Sequence, residues 1–228
     1  MNSRTELMIG LNNINKYSKK HIAIFGVGGV GGYVLEGLVR SGFEKITIFD
    51  FDKIDSSNLN RQIISNINNI DKIKIDEAIK HALTINPNIN IIGYNMFIDE
   101  TNINEINFRD FDYVVDAIDT VSSKLLIIQK CEELNIPLIS SMGTGNKLDP
   151  TKLLITDITK TTTCPLAKVI RKKCRELNIK HLTVLASTEE PIKTNTRNPG
   201  SMIFVPASAG LLIASYILRS YIDDEKTS

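Results

Sequence analysis

The sequence contains few cysteines and none of the paired spacings that hold structural zinc. Its three cysteines, Cys131, Cys164 and Cys174, form no C-x-x-C pair, so neither a zinc site nor a disulfide framework is expected. The first residues lack the basic-then-apolar pattern of a signal peptide. We therefore predict a cytoplasmic protein with reduced thiols.

A bulk charge of one sign and a long apolar run are also missing. The 27 basic and 26 acidic side chains leave a formal net charge of +1, so any affinity for nucleic acid must come from local patches. Residues 202–218 carry no charge, but the stretch is slightly short for a bilayer span and contains proline and glycine. It predicts a buried helix and no membrane span.

Short apolar runs alternate with helical patterns along the first two thirds of the chain. Strands are predicted at 21–25, 45–49, 90–94, 113–115 and 137–140, and helices at 33–40, 73–85 and 122–134. This alternation is typical of an α/β, Rossmann-like fold, in which helices cover both faces of a mostly parallel, doubly wound sheet. The hydrophobic fraction of 42% suits a packed core.

The pattern changes after Gly143. The remainder predicts strands at 152–157 and 183–187, a basic helix at 165–176 and a mobile loop at 195–201. We interpret residues 1–228 as one domain. Its core spans about 20–142, and a C-terminal extension spans about 143–228.

A glycine-rich turn lies between the first predicted strand and the first predicted helix. It contains the motif G-x-G-x-x-G and four glycines, Gly26, Gly28, Gly29 and Gly31. Glycine lets backbone N–H groups approach phosphates at a helix N-terminus. Asp50 follows near the spacing of a ribose-binding carboxylate. These residues alone fit an NAD-dependent dehydrogenase as well as an ATP-binding enzyme.

Two cationic side chains after the second strand favour ATP. Cleavage of a triphosphate at its α-phosphorus needs cations on the transferred and leaving groups, and Arg61 and Lys74 can supply them. A dehydrogenase has no such need. Taken separately, Lys74 could equally be a solvated charge on a helix surface.

An acidic motif, D-A-I-D at 116–119, follows the fourth predicted strand. Asp119 would project from the carboxyl edge of the sheet, where open α/β sheets bind ligands. A carboxylate there can hold the Mg²⁺ that bridges phosphates. The other interpretation of Asp119 is a cap of the following helix.

These motifs together resemble the ThiF/MoeB/HesA superfamily, whose members are similar to the adenylation domain of ubiquitin-activating enzymes. The motifs are G-V-G-G-V-G-G, D-F-D at 50–52, S-N-L-N-R-Q at 57–62, the lysine before N-P, and D-A-I-D. The resemblance implies an ATP site that contains Gly26, Gly28, Gly29, Gly31, Asp50, Asp52, Ser57, Asn58, Arg61, Lys74 and Asp119.

The resemblance also implies roles for these residues. Asp50 would bind the ribose, Arg61 and Lys74 the phosphates, and Asp119 the Mg²⁺. Arg4 resembles the arginine that family members extend into the site of a neighbouring subunit, so a homodimer is implied. An arginine in a frayed N-terminus is the alternative interpretation.

The second half resembles the tRNA threonylcarbamoyladenosine dehydratases. The similar segments are G-T-G at 143–145, L-D-P at 148–150, D-I-T-K-T at 157–161, P-L at 165–166, and G-S at 200–201 before F-V-P-A. The resemblance implies ATP-dependent cyclisation of the threonylcarbamoyl group on adenosine 37 of tRNA, through adenylation of the threonyl carboxylate. Cys164 stands where relatives commonly have an acid, and Ala186 leaves its strand without a cysteine.

The partners follow from the same resemblance. A tRNA bearing threonylcarbamoyladenosine is the substrate, and the basic helix would contact its phosphates. The candidate contacts are Lys168, Arg171, Lys172 and Arg175, with Lys173 adjacent; without the resemblance, a solvated helix face explains them. A monovalent cation beside the site and a cysteine desulfurase or sulfur-acceptor protein are further candidates.

Two other functions remain open. An adenylyltransferase could use the same ATP residues to activate the C-terminal glycine of a ubiquitin-like sulfur-carrier protein. A dinucleotide-sensing or redox module would use only the glycine turn, and Arg61, Lys74 and Asp119 argue against it.

Overall fold

The computed structural model describes residues 3–196 and 199–222 of the chain. Residues 197 and 198 of the predicted loop at 195–201 lie outside the described residues. Within these residues, seven strands form one sheet: β1 (His21–Phe25), β2 (Lys45–Asp50), β3 (Asn90–Asn95), β4 (Tyr113–Asp116), β5 (Leu138–Ser141), β6 (Leu153–Asp157) and β7 (Thr183–Ser187). The sheet order is β3-β2-β1-β4-β5-β7-β6. Strand β6 runs antiparallel to β7, and the other neighbours pair in parallel.

The described part of the chain has six α-helices beside the sheet: α1 (Ser3–Tyr17), α2 (Gly31–Arg40), α3 (Lys74–Ile85), α4 (Val121–Leu134), α5 (Pro165–Glu176) and α6 (Phe204–Arg219). Helices α2, α3 and α6 pack on one face, and α4 and α5 pack on the other. The predicted α/β fold, with a mostly parallel sheet and helices on both faces, is confirmed. Local signals set several helix ends. Pro165 starts α5, and Asn135 ends α4 in the left-handed conformation.

Alternate side chains of β1 pack against the helices on opposite faces of the sheet. Ile22 and Ile24 belong to the cluster under α2 and α6, whereas Ala23 and Phe25 face the cluster that includes α4. All four are fully buried. Because successive strand residues point to opposite faces, a continuous apolar run marks a strand that is covered on both sides.

The C-terminal part of the chain completes this sheet. Strand β7 pairs in parallel with β5, so the sheet continues across the predicted boundary at 142–143. The uncharged stretch at 202–218 forms most of α6, which packs against α2 through Gly210 and Ala214. Among residues 3–196 and 199–222, no helix has the length and apolarity needed to cross a membrane.

Helix α1 was not predicted from the sequence, where the first residues looked like a polar segment. Its buried side chains are only Ile14 and Tyr17, so hydrophobic periodicity is weak. Gly10, at φ 76°, kinks it. Tyr17 attaches the helix to the core: its ring lies 4.9 Å from that of Phe43, and its hydroxyl donates to the Ser41 carbonyl at 2.6 Å.

This contact gives a stability prediction. Because its ring is fully buried, Tyr17→Ala should lower the free energy of unfolding by about 3 to 5 kcal/mol. Tyr17→Phe keeps the ring and removes the hydrogen bond, so it should cost only about 1 kcal/mol. Urea unfolding of the two variants beside the wild type measures both. Equal losses in the two variants would contradict the assigned ring packing.

Candidate active site

A cleft of about 300 Å³ lies at the carboxyl edge of the parallel strands. It is lined by residues from the ends of β1, β2, β3 and β4 and from the C-terminal part of the chain. Open α/β sheets bind ligands at this edge. The predicted ATP residues that line it are Gly26, Gly28, Gly29, Asp50, Asp52, Asn58, Arg61, Lys74 and Asp119.

The glycine turn approaches the segment after β4 closely. Gly26 has a φ of 86°, and a Cβ there would lie 2.9 Å from the Ala117 carbonyl oxygen. A Cβ at Gly31 would overlap the carbonyl oxygen of Gly26. Only glycine fits either position. Gly31 therefore allows α2 to start directly after the turn, and it does not itself line the cleft.

Asp50 connects the glycine turn to the second half of the cleft. Its carboxylate accepts the backbone N–H of Val27 at 2.8 Å and that of Asp52 at 2.9 Å. The Lys74 ammonium lies 3.6 Å from the Asp50 carboxylate and donates to that of Asp52 at 2.8 Å. Lys74 is only 2% exposed, while the Asp52 side chain is 49% exposed. Lys74 is thus a buried cation on the cleft wall and not a solvated helix charge.

The loop between β2 and α3 brings Lys74 to this position. Lys53 and Ile73 pair in an antiparallel bridge, and the Lys74 backbone N–H donates to the Asp52 carbonyl at 3.0 Å. The bridge holds the two ends of this loop together at the edge of the sheet. Lys74 therefore begins its helix beside Asp52, although 22 positions separate them.

Arg61 is held by the turn that precedes it. Asp55 caps this turn by accepting the Ser57 N–H, while the Asn58 side chain accepts the Asp55 N–H. The Arg61 guanidinium then donates to the Ser57 carbonyl at 2.7 Å and to Asn60 Oδ1 at 2.9 Å. Ser57, a predicted ATP residue, lies outside the cleft lining and orients Arg61 through its carbonyl.

Asp119 is exposed and lines the cleft. Among the described residues, no group of three or more His, Cys, Asp and Glu side chains lies close enough to hold a metal ion. Mg²⁺ usually binds through one or two carboxylates together with substrate phosphates. The single carboxylate of Asp119 fits an ion that is shared with a polyphosphate.

The far wall of the cleft comes from the C-terminal part. Thr144, Ser201 and Pro206 line it. The Asn60 side chain donates to the Ser201 carbonyl at 2.9 Å, and the Asn146 side chain accepts the Gly200 N–H at 2.6 Å. These bonds tie residues 200–201 both to the Arg61 turn and to the 143–146 segment.

Several lining residues were not predicted. The segment directly after β3 contributes Met96, Phe97 and Ile98 to the lining. Because open α/β sheets bind ligands beyond the carboxyl ends of their strands, the predicted end of this strand could have identified them. Other unassigned lining residues lay inside quoted motifs: Phe51, Gln62, Thr144 and Ser201. Gln62 Oε1 is buried without a hydrogen-bond partner among the described residues. No sequence pattern indicated Ser123.

Arg4 lies on α1 and is exposed, outside the cleft lining of its own chain.

The basic helix α5 presents Lys168, Arg171, Lys172 and Arg175 at spacings i, i+3, i+4 and i+7, which place them on one face. Arg171 donates to the Thr161 carbonyl at 2.8 Å and to its hydroxyl at 2.6 Å. Lys172 lies 3.8 Å from Glu176. The other two are exposed.

Comparison with known proteins identifies relatives over almost the whole chain. Residues 3–228 match the ThiF family. The chain is 36% identical to the tRNA threonylcarbamoyladenosine dehydratase of Bacillus subtilis (strain 168), over 97% of this chain and 94% of that protein. The crystal structure of E. coli tRNA N6-threonylcarbamoyladenosine dehydratase in complex with ATP has a TM-score of 0.90 and 28% identity. It covers 96% of this chain and 92% of that one, and the structure of the same enzyme with AMP gives the same values.

The three thiols lie away from solvent. Cys131, Cys164 and Cys174 are free and each is at most 3% exposed. Burial raises the pKa of the Cys131 thiol to about 12 and also raises that of Cys174. Cys164 packs near Gly143. A buried thiol with a raised pKa carries little of the nucleophilic thiolate.

The native protein should therefore resist thiol reagents. With Ellman's reagent at pH 8, we expect slow labelling of the folded protein and rapid labelling of all three thiols in denaturant. The physical reason is poor access to all three thiols, to which a raised pKa is added for Cys131 and Cys174. Rapid labelling of one thiol in the folded state would contradict its burial.

Proposed function

The chain belongs to the ThiF family, and on this basis we propose that it is an ATP-dependent tRNA threonylcarbamoyladenosine dehydratase. It cyclises N6-threonylcarbamoyladenosine at position 37 of tRNA after adenylating the threonyl carboxylate. The observation that carries this proposal is the cleft, in which the glycine turn, Arg61, Lys74 and Asp119 lie together. The near full-length similarity to dehydratases supports it.

ATP lies along the carboxyl edge of β1 and β2. The phosphates approach the glycine turn and the N-terminus of α2, where backbone N–H groups favour anions. Asp50 binds the ribose. Both of its oxygens already accept hydrogen bonds, but an ionised carboxylate has about four acceptor sites, so it can also accept a ribose hydroxyl.

Charge balance in the cleft supports a role for Mg²⁺. The cleft is lined by three carboxylates, Asp50, Asp52 and Asp119, and by two cations, Arg61 and Lys74. A triphosphate that enters beside three carboxylates needs further positive charge. Asp119 would hold Mg²⁺, which when bound neutralises phosphate charge and polarises the phosphoryl oxygens.

The remaining chemistry requires positioning more than an enzyme nucleophile. The threonyl carboxylate attacks the α-phosphorus and pyrophosphate leaves. Arg61 and Lys74 stabilise the charge that develops on the transferred and leaving groups. A nucleophile of the same threonylcarbamoyl group then displaces AMP, and its proximity makes ring closure effectively unimolecular. No step needs the buried thiols.

A homodimer would complete this site. Arg4 lies on an exposed helix that also presents Leu7 and Met8, 85% and 86% exposed, and Leu11. An apolar group of this kind on a surface helix is typical of a protein interface. In the dimer, Arg4 reaches the phosphates in the partner subunit's cleft.

The cellular setting of the proposed enzyme is the cytoplasm, where free thiols such as these persist. Residues 1–228 act as one domain, with the nucleotide core at about 20–142 and the tRNA-facing part at about 143–228. A monovalent cation near the site and a cysteine desulfurase or sulfur-acceptor protein remain expected partners of this reaction.

Mass spectrometry of nucleosides tests the activity directly. Purified protein is incubated with ATP, Mg²⁺ and tRNA that carries threonylcarbamoyladenosine, and the nucleosides are then separated. We expect an ATP-dependent loss of one water from that nucleoside. An unchanged nucleoside, with ATP still bound, would overturn the proposal and favour activation of a carrier protein with a C-terminal glycine.

Two cleft variants test the assigned roles. Asp119→Ala and Arg61→Ala should each lower the dehydration rate at saturating ATP by at least about 100-fold. Arg61→Ala removes a cation that stabilises the transferring phosphoryl group, and Asp119→Ala removes the carboxylate that would hold the Mg²⁺ with the same effect. Circular dichroism and melting should match the wild type, since neither side chain is in the core. Asp76→Ala and Arg109→Ala, at exposed positions outside the cleft, serve as matched controls. Turnover at the wild-type rate by either cleft variant would refute its role.

The basic face of α5 provides the tRNA contact of the proposal. Lys168→Glu with Arg175→Glu should weaken tRNA binding and make its dependence on salt shallower, by roughly one unit of the log–log slope for each lost phosphate contact. Binding of ATP without tRNA should not change. The same reversals at Lys19 and Lys80, exposed outside α5, control for net charge. Equal weakening by both pairs would place the tRNA elsewhere.

A further inference from the structure

A fully buried ion pair lies behind the Asp119 side of the cleft. Lys124 on α4 and Asp116 at the end of β4 both have 0% exposed side chains, and the Lys124 ammonium donates to the Asp116 carboxylate at 2.7 Å. The ammonium also donates to the Ser140 hydroxyl at 3.1 Å and to the Ser141 carbonyl at 3.0 Å. The Ser140 hydroxyl donates to the same carboxylate at 2.6 Å. All three ammonium hydrogens are thus used.

A buried ion pair of this kind contributes little net free energy to the stability of a fold. Desolvation of two charges can exceed their mutual attraction, and well-packed apolar residues of similar volume often stabilise a fold as well or better. A fully satisfied polar network instead fixes one arrangement of the groups it joins. This network joins the ends of β4 and β5 to the first turn of α4.

The segment that this network holds in place, from Asp116 to Asp119, forms part of the cleft wall. The second oxygen of Asp116 accepts the Ile118 N–H at 3.2 Å, and the Ala117 N–H donates to the Phe25 carbonyl at 2.8 Å. Asp119 is the next residue and lines the cleft. Asp119 itself is exposed, so the backbone turn from Asp116 to Ile118 sets the position from which its carboxylate extends into the cleft.

We propose that Lys124, acting through Asp116, is a positioning residue that aims the Asp119 carboxylate at the Mg²⁺–polyphosphate complex. The inference rests on the proposed function, since it needs Mg²⁺ and ATP in the cleft. Groups that orient a metal ligand from behind typically change metal affinity or activity by about 10- to 100-fold when removed. Removal of Lys124 should therefore weaken the affinity for Mg²⁺ and not nucleotide binding in general.

The test uses a neutral pair in place of the charged one. Lys124→Met alone leaves the Asp116 carboxylate buried and unpaired and is expected to destabilise the fold, so Lys124→Met is combined with Asp116→Asn. Lys130→Met is the matched control, because Lys130 is on the same helix and pairs with Glu133 away from the cleft. Isothermal titration calorimetry measures binding of α,β-methylene-ATP to the full chain over a range of Mg²⁺ concentrations, with melting temperature as a second readout.

The expected result separates metal positioning from structure. The double variant should bind the nucleotide without Mg²⁺ as the wild type does. It should melt within a few degrees of the wild type, but its Mg²⁺ half-saturation should rise about 10-fold or more. Lys130→Met should leave the Mg²⁺ response unchanged.

Two outcomes would overturn the inference. In the first, the double variant melts like the wild type and keeps the wild-type Mg²⁺ response. In the second, the Mg²⁺-free and Mg²⁺-dependent affinities fall equally, which is what a merely structural role predicts. Because this readout contains no tRNA, a negative dehydration assay with an intact Mg²⁺ response in the wild type would contradict the proposed reaction and leave the role of Lys124 standing.

Discussion

In-register parallel pairing of β1 with β2 and β4 is the constraint on which the candidate site depends. Phe25 lies level with Phe49 in one neighbour and with Asp116 in the other. The residues that follow these three strands therefore leave the sheet at one level. They are the glycine turn, the polar loop that begins after Asp50, and the turn that carries Asp119. The absence of a Cβ at Gly26 then lets the first and third segments touch.

The charged side chains of the cleft differ in how deeply they are buried. Lys74 is buried against two carboxylates, whereas Asp119 is exposed. A buried cation with partners holds its position before any ligand arrives, while an exposed carboxylate depends on its backbone for direction. This difference explains why backbone contacts and the ion pair behind Asp119 matter for the proposed chemistry, in which preorganised charge stabilises the phosphoryl group.

The C-terminal part of the chain has a double role in this arrangement. It extends the sheet through β7 and β6, and it supplies Thr144, Ser201 and Pro206 to the cleft. The Asn60 side chain donates to the Ser201 carbonyl and so connects the two parts of the wall, while the Asn146 side chain accepts the Gly200 N–H within the C-terminal part. The basic face of α5 belongs to the same part, so the proposed tRNA surface and the ATP cleft are joined by one continuous sheet.

The sequence alone determined the local features. Strands such as β1 and β7 and the helix α5 have the predicted bounds, because buried apolar runs and an initial proline are local signals. Motifs that resemble those of the ThiF/MoeB/HesA superfamily also identified most polar residues of the cleft. Only the tertiary structure decided which residues meet. Gly31 lets α2 start directly after the turn, Ser57 acts through its carbonyl on Arg61, and Lys124 reaches Asp116 and β5. Helix α1 lacked a periodic signal because only two of its side chains are buried. Contacts between distant segments depend on the register and packing of the whole sheet, and no local pattern of residues carries that information.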